Sequence, residues 1–269
     1  MVDDGLYSPS RHAVPIADIC LGQHVFPQLA GTVSTKHGTV MSAANSFKVT
    51  IFGHGGHGSM PHFTVDPVVI ASYIVIRLQS IVSRECPPDE TAVLTVGAIQ
   101  AGSTENIIAE TATLRLNLRS INPKTRDLMV EAVKRIVKAE CTAGRCPKDP
   151  LIEPTTSFPL THNDSGVTTA VQKSFSAYFG DRHDPNGVAS LASEDFGILA
   201  SSVGVPSMFW FFGGYAQEEM EKGPVPYNHN AGFAPAIQPT LQTGVDALVV
   251  AALTFLGKEP ADDGVSAYE

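Results

Sequence analysis

Several kinds of chemistry have no foothold in this 269-residue sequence. It contains no G-x-S-x-G, no H-E-x-x-H and no phosphate-binding P-loop, so serine-nucleophile catalysis, a single-helix zinc site and P-loop nucleotide binding lack their local signatures. Basic residues are scarce, 18 against 27 acidic ones for a formal net charge of -9. No Lys/Arg cluster stands out, which excludes the electrostatic footprint of a nucleic-acid partner. No uninterrupted apolar run reaches membrane-spanning length, so no membrane partner is expected. The opening Met1-Val2-Asp3-Asp4-Gly5 lacks the apolar core of a secretory signal. The expectation is a cytoplasmic protein whose four cysteines, Cys20, Cys86, Cys141 and Cys146, are reduced thiols rather than a disulfide framework. Cys141 and Cys146 are close enough in sequence to bridge but have no second pair to make a zinc ribbon.

The chain does contain a dense polar stretch, Gly53-His54-Gly55-Gly56-His57-Gly58-Ser59-Met60-Pro61-His62, with three histidines, four glycines and a proline. Glycine and proline at this density propagate neither a helix nor a central strand, so the histidines are expected on a tightly shaped loop. The alternating run Phe47–Phe52 before it reads as a strand. After it, Asp66 suits a helix cap and Pro67 the first helical turn. A polar loop fixed between strand and helix is a good place for a site; taken alone, it equally suits a turn with solvated histidines.

Residues 16–27 read as a buried strand with His24 and Pro27 at its carboxyl end, where α/β sheets place their sites. Residues 39–44 read as a short strand. Residues 46–158 then run strand, helix, strand, strand, helix, strand, with strands near 46–53, 91–100, 111–121 and 151–157 and helices near 66–83 and 123–141. This βαββαβ order is that of a split-βαβ, ferredoxin-like domain. The second helix is amphipathic, with Leu128, Met129, Val133, Ile136 and Val137 on one side. The first is apolar almost all round, and a two-layer domain buries only one stripe of it; the surplus is expected to meet another subunit. Further on, Ser165–Phe179 reads as a helix and Met208–Phe212 as a buried strand. Gly213-Gly214 follows, where a ligand or backbone approaches closely. Residues 239–257 read as a packed helix, and the chain from Asp262 as a loose tail. The fold class is α/β, with an inserted domain at 45–159 between two pieces, 1–44 and 160–269, of one outer domain. Those pieces supply only three or four strands, so the outer domain reads as unfinished.

His24 and His229 are candidate metal ligands, imidazole being the commonest ligand for zinc-like ions; each alone is also an ordinary structural or solvated histidine. Glu194-Asp195-Phe196 reads either as a polar site element or as a helix start capped by Ser193. Asn106 lies in a turn between strands. Arg119 reads either as a surface residue or as a bidentate carboxylate clamp.

Taken together, these stretches resemble the M20 metallopeptidase family, and most closely its amidohydrolase branch of hippurate hydrolases, N-acyl-amino-acid amidohydrolases and auxin-conjugate hydrolases. The matching stretches are Gly22–Pro27, Met41–Ala44, Gly53–His62 running into Asp66-Pro67, Gly102–Ile107, Leu118-Arg119, Ser193–Phe196 and Asn228–Asn230 before Phe233. They span nearly the whole chain in order. The resemblance implies a partial catalytic α/β/α sandwich carrying an inserted lid that dimerises. It also implies two divalent metals, zinc or manganese, per complete site, and a homodimer. His24 and His229 would each bind one metal. His57 would be the lid histidine reaching across the dimer to the carbonyl oxygen of the scissile amide, a donor that favours the transition state. Asn106 and Arg119 would hold the substrate, and Gly213 and Gly214 would line the pocket floor.

The family's His-x-Cys-Gly-His-Asp segment and its Glu-Glu pair, which supplies the general base, have no match here, and Gln23 and Asn230 replace the usual residues. The expectation is therefore the C-terminal part of a hydrolase of N-acyl or N-aroyl amino acids, inactive by itself. The alternatives are a non-catalytic dimerising remnant, or another M20 branch such as a carboxypeptidase or aminoacylase.

Overall fold

The structure, a computed structural model, describes residues 1–257; the tail read from Asp262 onward lies outside them. Contacts divide the chain into two compact units. The first comprises Met1–Val40, His162–Ala189 and the chain from Phe196; the second comprises Met41–Thr161 and Ser190–Asp195.

In chain order, the first unit opens with β1 (Cys20–Leu29) and β2 (Val33–Ser34), and β3 (Gly38–Met41) leads out of it. The second unit follows with β4 (Ala43–Phe52), β5 (Gly56–His57), α1 (Pro67–Ser80), β6 (Ala92–Ala101), β7 (Ile107–Ile108), β8 (Thr111–Ser120), α2 (Pro123–Ala143) and β9 (Leu151–Phe158). The chain returns through β10 (Thr161–Asn163) to α3 (Ser165–Phe179), β11 (His183–Asp184), α4 (Gly197–Ser201), β12 (Ser207–Tyr215), α5 (Gln217–Glu221) and α6 (Ile237–Leu256). Two readings shift. β1 begins and ends later than 16–27, so His24 lies in mid-strand. The stretch read as one strand at 39–44 is the end of β3 and the start of β4.

In the second unit, the four long strands form an antiparallel sheet in the order β6-β8-β4-β9. With α1 and α2 as crossovers this is the split-βαβ topology. Period-two alternation explains it: Phe47, Val49 and Ile51 of β4 and Leu114, Leu116 and Leu118 of β8 are buried against the helices. Lys48 and Thr50 lie between them on the half-exposed side. Asp66 caps α1 by accepting a hydrogen bond from the Val68 backbone N–H at 2.8 Å, with Pro67 in the first turn. α1 buries Ile70, Ala71, Ile74 and Leu78 and continues as a π-helical turn over Ile81–Glu85. Its opposite face leaves Tyr73 60% and Ile76 69% exposed, beside half-exposed Val68 and Val69. The surplus apolar face expected from the sequence is there.

In the first unit the sheet order is β1-β12-β2-β11. β12 runs parallel to β1 and antiparallel to β2. α3 and α6 close over Met208 and Trp210 of β12 in one core, where Phe175 meets Trp210 edge-on at 5.4 Å. α6 starts at Ile237, but Gln238 is non-helical, so its regular part begins at Pro239 as read. By length and composition alone, Pro67–Glu85 and Ile237–Leu256 are apolar enough to cross a bilayer. Arg77 and Asp246 interrupt them in sequence, and each helix packs one face into its own unit's core. All four cysteines are free thiols. Burial pushes the Cys141 thiol up to about 12, which makes it a packing sulfur rather than a nucleophile.

Candidate functional site

Side chains along β1 alternate between the two sheet faces. Gln23 faces α6, donating from Nε2 to the Gly244 carbonyl at 2.8 Å, so His24 projects from the opposite face. His24 Nδ1 lies 2.7 Å from the Val25 carbonyl oxygen. A carbonyl only accepts, so the proton is on Nδ1 and Nε2 keeps its lone pair. A ring oriented by a backbone carbonyl, with its other nitrogen bare, is the arrangement of a metal-ligating histidine. The same Val25 carbonyl accepts a second hydrogen bond, from Asn228 Nδ2 at 3.0 Å. Phe26 and Tyr227 stack edge-on at 5.1 Å. The segment carrying His229 is thereby fastened to the strand beside His24. His229 is exposed and has φ 68, a left-handed conformation that costs a non-glycine residue about 1–2 kcal/mol. Asn230 N–H to the Tyr227 carbonyl at 3.0 Å and Gly232 N–H to Asn230 Oδ1 at 2.8 Å hold that turn. Asn228 Oδ1 is buried with no hydrogen-bond partner among the described residues.

In the second unit, His57 carries the opposite tautomer. The Ser59 backbone N–H donates to His57 Nδ1 at 3.2 Å, and Ser59 Oγ lies 2.7 Å from the same nitrogen. Nδ1 is thus an acceptor, and the exposed ring presents Nε2–H as a donor. The loop is shaped by close approach: a Cβ at Gly53 would meet the Val65 carbonyl oxygen at 2.4 Å, and one at Gly55 the Ile108 carbonyl oxygen at 2.7 Å. β5 pairs with β7, placing His57 opposite Ile107, and the Gly58 N–H donates to the Asn106 carbonyl at 2.7 Å. His57 and Asn106 therefore come together.

Arg119 does not join them. His57 follows β4, whose end at Phe52 pairs with Thr111 at the start of β8, whereas Arg119 is near the far end of β8 opposite Ala44. Eight residues of strand at about 3.4 Å each separate the two ends by roughly 27 Å. The Arg119 side chain is engaged locally, with Nε to Asn117 Oδ1 at 3.0 Å and Nη1 to the Leu191 carbonyl at 2.6 Å and to Ser193 Oγ at 3.3 Å. Ser42 Oγ donates to the same Leu191 carbonyl at 2.9 Å. The helix-cap reading of Ser193 is corrected: Phe196, not Ser193, holds the cap position of α4 (Gly197–Ser201), and Ser193 Oγ meets Ser42 and Arg119 instead. Sequence patterns gave no sign of Asn117, because a short polar side chain in a strand carries no spacing signal. Gly213 and Gly214 are packed by the protein itself. A Cβ at Gly213 would lie 1.8 Å from the Leu29 carbonyl oxygen, and one at Gly214 would lie 2.9 Å from Val25 Cγ2.

Catalytic zinc sites use three protein ligands with one position left open. Among the described residues no group of three or more His, Cys, Asp and Glu gathers as a metal site. His24 and His229 are accordingly two donors of an incomplete set, and the residues described do not make a metal centre by themselves.

Residues 42–145 match the M20 peptidase dimerisation domain, within the second unit. The second unit thus carries an M20 dimerisation domain. Proteins similar to the chain include Bacillus subtilis YhaA, assigned as an amidohydrolase, 30% identical over 95% of this chain and 61% of the relative. The hippurate hydrolase of Campylobacter jejuni is 32% identical over 74% of this chain and 51% of the relative. The N-acetyldiaminopimelate deacetylase of Bacillus subtilis is 32% identical over 72% of this chain and 51% of the relative. A solved structure from methicillin-resistant Staphylococcus aureus, assigned as an aminohydrolase, superposes with TM-score 0.73 at 26% identity, covering 94% of this chain and 60% of the other. A dinuclear metal-binding M20 peptidase from Bacillus subtilis, 19% identical, shares the fold with TM-score 0.65 over 94% of this chain and 60% of the other. The chain thus spans half to three-fifths of the relatives it matches.

Proposed function

We propose that this chain belongs to a metal-dependent hydrolase that cleaves the amide bond of N-acyl or N-aroyl amino acids, and that it is inactive by itself. The observation that carries the reading is the pair of opposed histidine tautomers: His24 offers a bare Nε2, and His57 offers Nε2–H. Metal-assisted amide hydrolysis uses both, a ligand for the ion that activates water and a donor for the carbonyl oxygen as it gains charge. The relatives' names, hippurate hydrolase and N-acetyldiaminopimelate deacetylase, support an acylated amino acid as substrate. The reading takes two ions, zinc or manganese, with His24 a ligand to one and His229 a ligand to the other, and the remaining ligands beyond the described donors. Asn106 and Arg119 bind substrate, from different copies of a homodimer, because one copy holds them at opposite ends of its sheet.

Two measurements test this. Hippurate or an N-acetyl amino acid incubated with the chain and zinc or manganese is expected to remain intact; clear turnover would overturn the claim of an incomplete site. Calorimetric titration with zinc is expected to show weak binding that His24→Ala abolishes. Binding unchanged in that variant would remove His24 from the ligand set. A non-catalytic dimerising module is the second reading, favoured by the exposed apolar face of α1; zinc binding that fails in the parent chain would favour it.

A further inference from the structure

The end of α2 closes in a backbone arrangement that sets two thiols side by side. The Cys146 N–H bonds the Cys141 carbonyl at 2.9 Å and the Arg145 N–H bonds the Thr142 carbonyl at 3.1 Å, with Gly144 as the C-cap and Arg145 left-handed at φ 60. Nested bonds of this kind make the Schellman motif, whose first and last residues bring their side chains into contact. Here those residues are Cys141 and Cys146. Standard backbone dimensions and the 2.9 Å bond keep their two Cα atoms within about 6.8 Å of each other, inside the span that a disulfide bridges. The Cys141 thiol donates toward the Cys146 sulfur, and both residues pack on the core of the second unit. Cys141 is buried and Cys146 half-buried.

We infer that Cys141 and Cys146 are a modification site, a dithiol that a low-molecular-weight disulfide converts into an intramolecular disulfide. The half-buried Cys146 takes the first step: its thiolate attacks one sulfur of the reagent RSSR, forming Cys146–S–SR and releasing RS⁻. Cys141 then gives its proton to water and attacks the Cys146 sulfur, forming the Cys141–Cys146 bond and releasing the second RS⁻. The two cysteines lose two electrons, and the reagent is reduced to two thiols, which take up the two protons. Burial makes Cys141 unreactive toward reagents in solution. It already lies against the sulfur it must attack, and proximity takes the place of intrinsic reactivity. The bond ties down the junction of two helices. Gly144 lies so close to α1 that a Cβ there would meet Ile70 Cδ1 at 2.5 Å, and Glu140 Oε1 accepts from Arg77 Nε at 3.2 Å. Oxidation therefore locks the end of α2 against α1, the helix that follows the His57 loop.

The site belongs to the second unit alone, and its test reads no hydrolysis. The folded full chain is incubated with oxidised glutathione, remaining thiols are alkylated, and the chain is cut with trypsin, which cleaves after Arg145, between the two cysteines. The expected product is the peptide ending at Arg145 joined to the peptide beginning at Cys146, from a chain whose copies are not cross-linked on a non-reducing gel. Dithiothreitol should separate the two peptides. For a loop this short, openings that part Cys141 from Cys146 become about fortyfold rarer once the bond is made. Amide exchange over residues 138–146 should slow by that factor in the oxidised chain, and not in a Cys146→Ala variant treated alike. A glutathione adduct left on Cys146, or both thiols still free, would overturn the inference, and so would a bond between copies. Joined peptides with unchanged exchange would overturn the locking of α2.

Discussion

Gly213→Ala is the substitution whose effect the geometry fixes most tightly. A Cβ there would lie 1.8 Å from the Leu29 carbonyl oxygen and 2.3 Å from its carbonyl carbon. Both are backbone atoms of the strand end that packs on β12, so no rotamer change relieves the clash. The chain must separate where the Gly213 N–H bonds the Thr32 carbonyl at 3.0 Å and the Ala30 N–H bonds the Tyr215 carbonyl at 2.7 Å. Leaving two such buried groups unsatisfied costs about 2–6 kcal/mol, a large share of a typical 5–15 kcal/mol stability. Gly214→Ala is the control. Its new Cβ meets Val25 Cγ2 at 2.9 Å, a side-chain methyl that moves by rotation for about 0.5–1.5 kcal/mol. Trp210, the only tryptophan in the sequence, is fully buried on the same strand, so its fluorescence during guanidinium unfolding reports this unit. Gly213→Ala is expected to lower the midpoint several-fold more than Gly214→Ala. A Gly213→Ala protein as stable as its parent would refute the packing account and leave substrate contact as the reason for glycine.

Two further outcomes follow from single environments. His183 is buried, with Nε2 2.9 Å from Thr35 Oγ1 and Nδ1 3.0 Å from Ser176 Oγ, and burial holds its pKa below the ordinary 6.5. Because the unfolded chain then binds the extra proton more readily, the stability from the neutral ring is present above about pH 6.5 and is lost as pH falls below it. Unfolding midpoints of the parent should drop between pH 7 and 5, and His183→Gln should flatten that drop; parallel profiles would contradict it. Asp66→Ala removes the acceptor for the Val68 N–H and should lower stability by about 1 kcal/mol, while Asp66→Asn retains most of it, as urea midpoints would reveal.

The second unit was legible because its strands alternate with period two and its helices begin at Asp66-Pro67 and Asn122-Pro123, where cap and proline coincide. Asp66 accepts the backbone hydrogen bond expected of it, and Asn122, not singled out in the sequence, caps α2 in the same way. The family resemblance rested on short stretches spread in order along the chain, each soft alone, and the dimerisation domain among them is matched over residues 42–145. What stayed hidden depends on contacts across long sequence gaps. The doubly accepting Val25 carbonyl joins residues 24 and 228, and no local pattern encodes it. The Ser193 reading failed because a serine before two acids looks like a cap, whereas tertiary hydrogen bonds to Ser42 and Arg119 took its hydroxyl. Gly213-Gly214 was read correctly as a close approach, but the sequence left open whether ligand or backbone approaches, and a 1.8 Å clash with Leu29 decides for backbone at Gly213.

The proposed homodimer through the second unit would account both for the separation of His57 and Arg119 and for the bare face of α1. A small amide substrate spans far less than the roughly 27 Å of sheet between the two ends of β8, so His57 and Arg119, in the roles proposed for them, would act on one substrate only from different copies. Ile76→Glu tests the pairing. Ile76 is 69% exposed on α1, so the change leaves the core of the unit alone. Burying an isoleucine side chain contributes about 1.5–3 kcal/mol, and a two-fold interface counts the substitution twice. The expected loss is therefore about 3–6 kcal/mol, on the order of a hundredfold to ten-thousandfold in dissociation constant. Sedimentation over a range of concentrations should find the parent dimeric and the variant monomeric, with unchanged circular dichroism and unfolding midpoint in the dilute, monomeric range. A monomeric parent, or a variant that dimerises as well as the parent, would detach the lid histidine from any partner's substrate and return His57 to the role of a solvated turn residue.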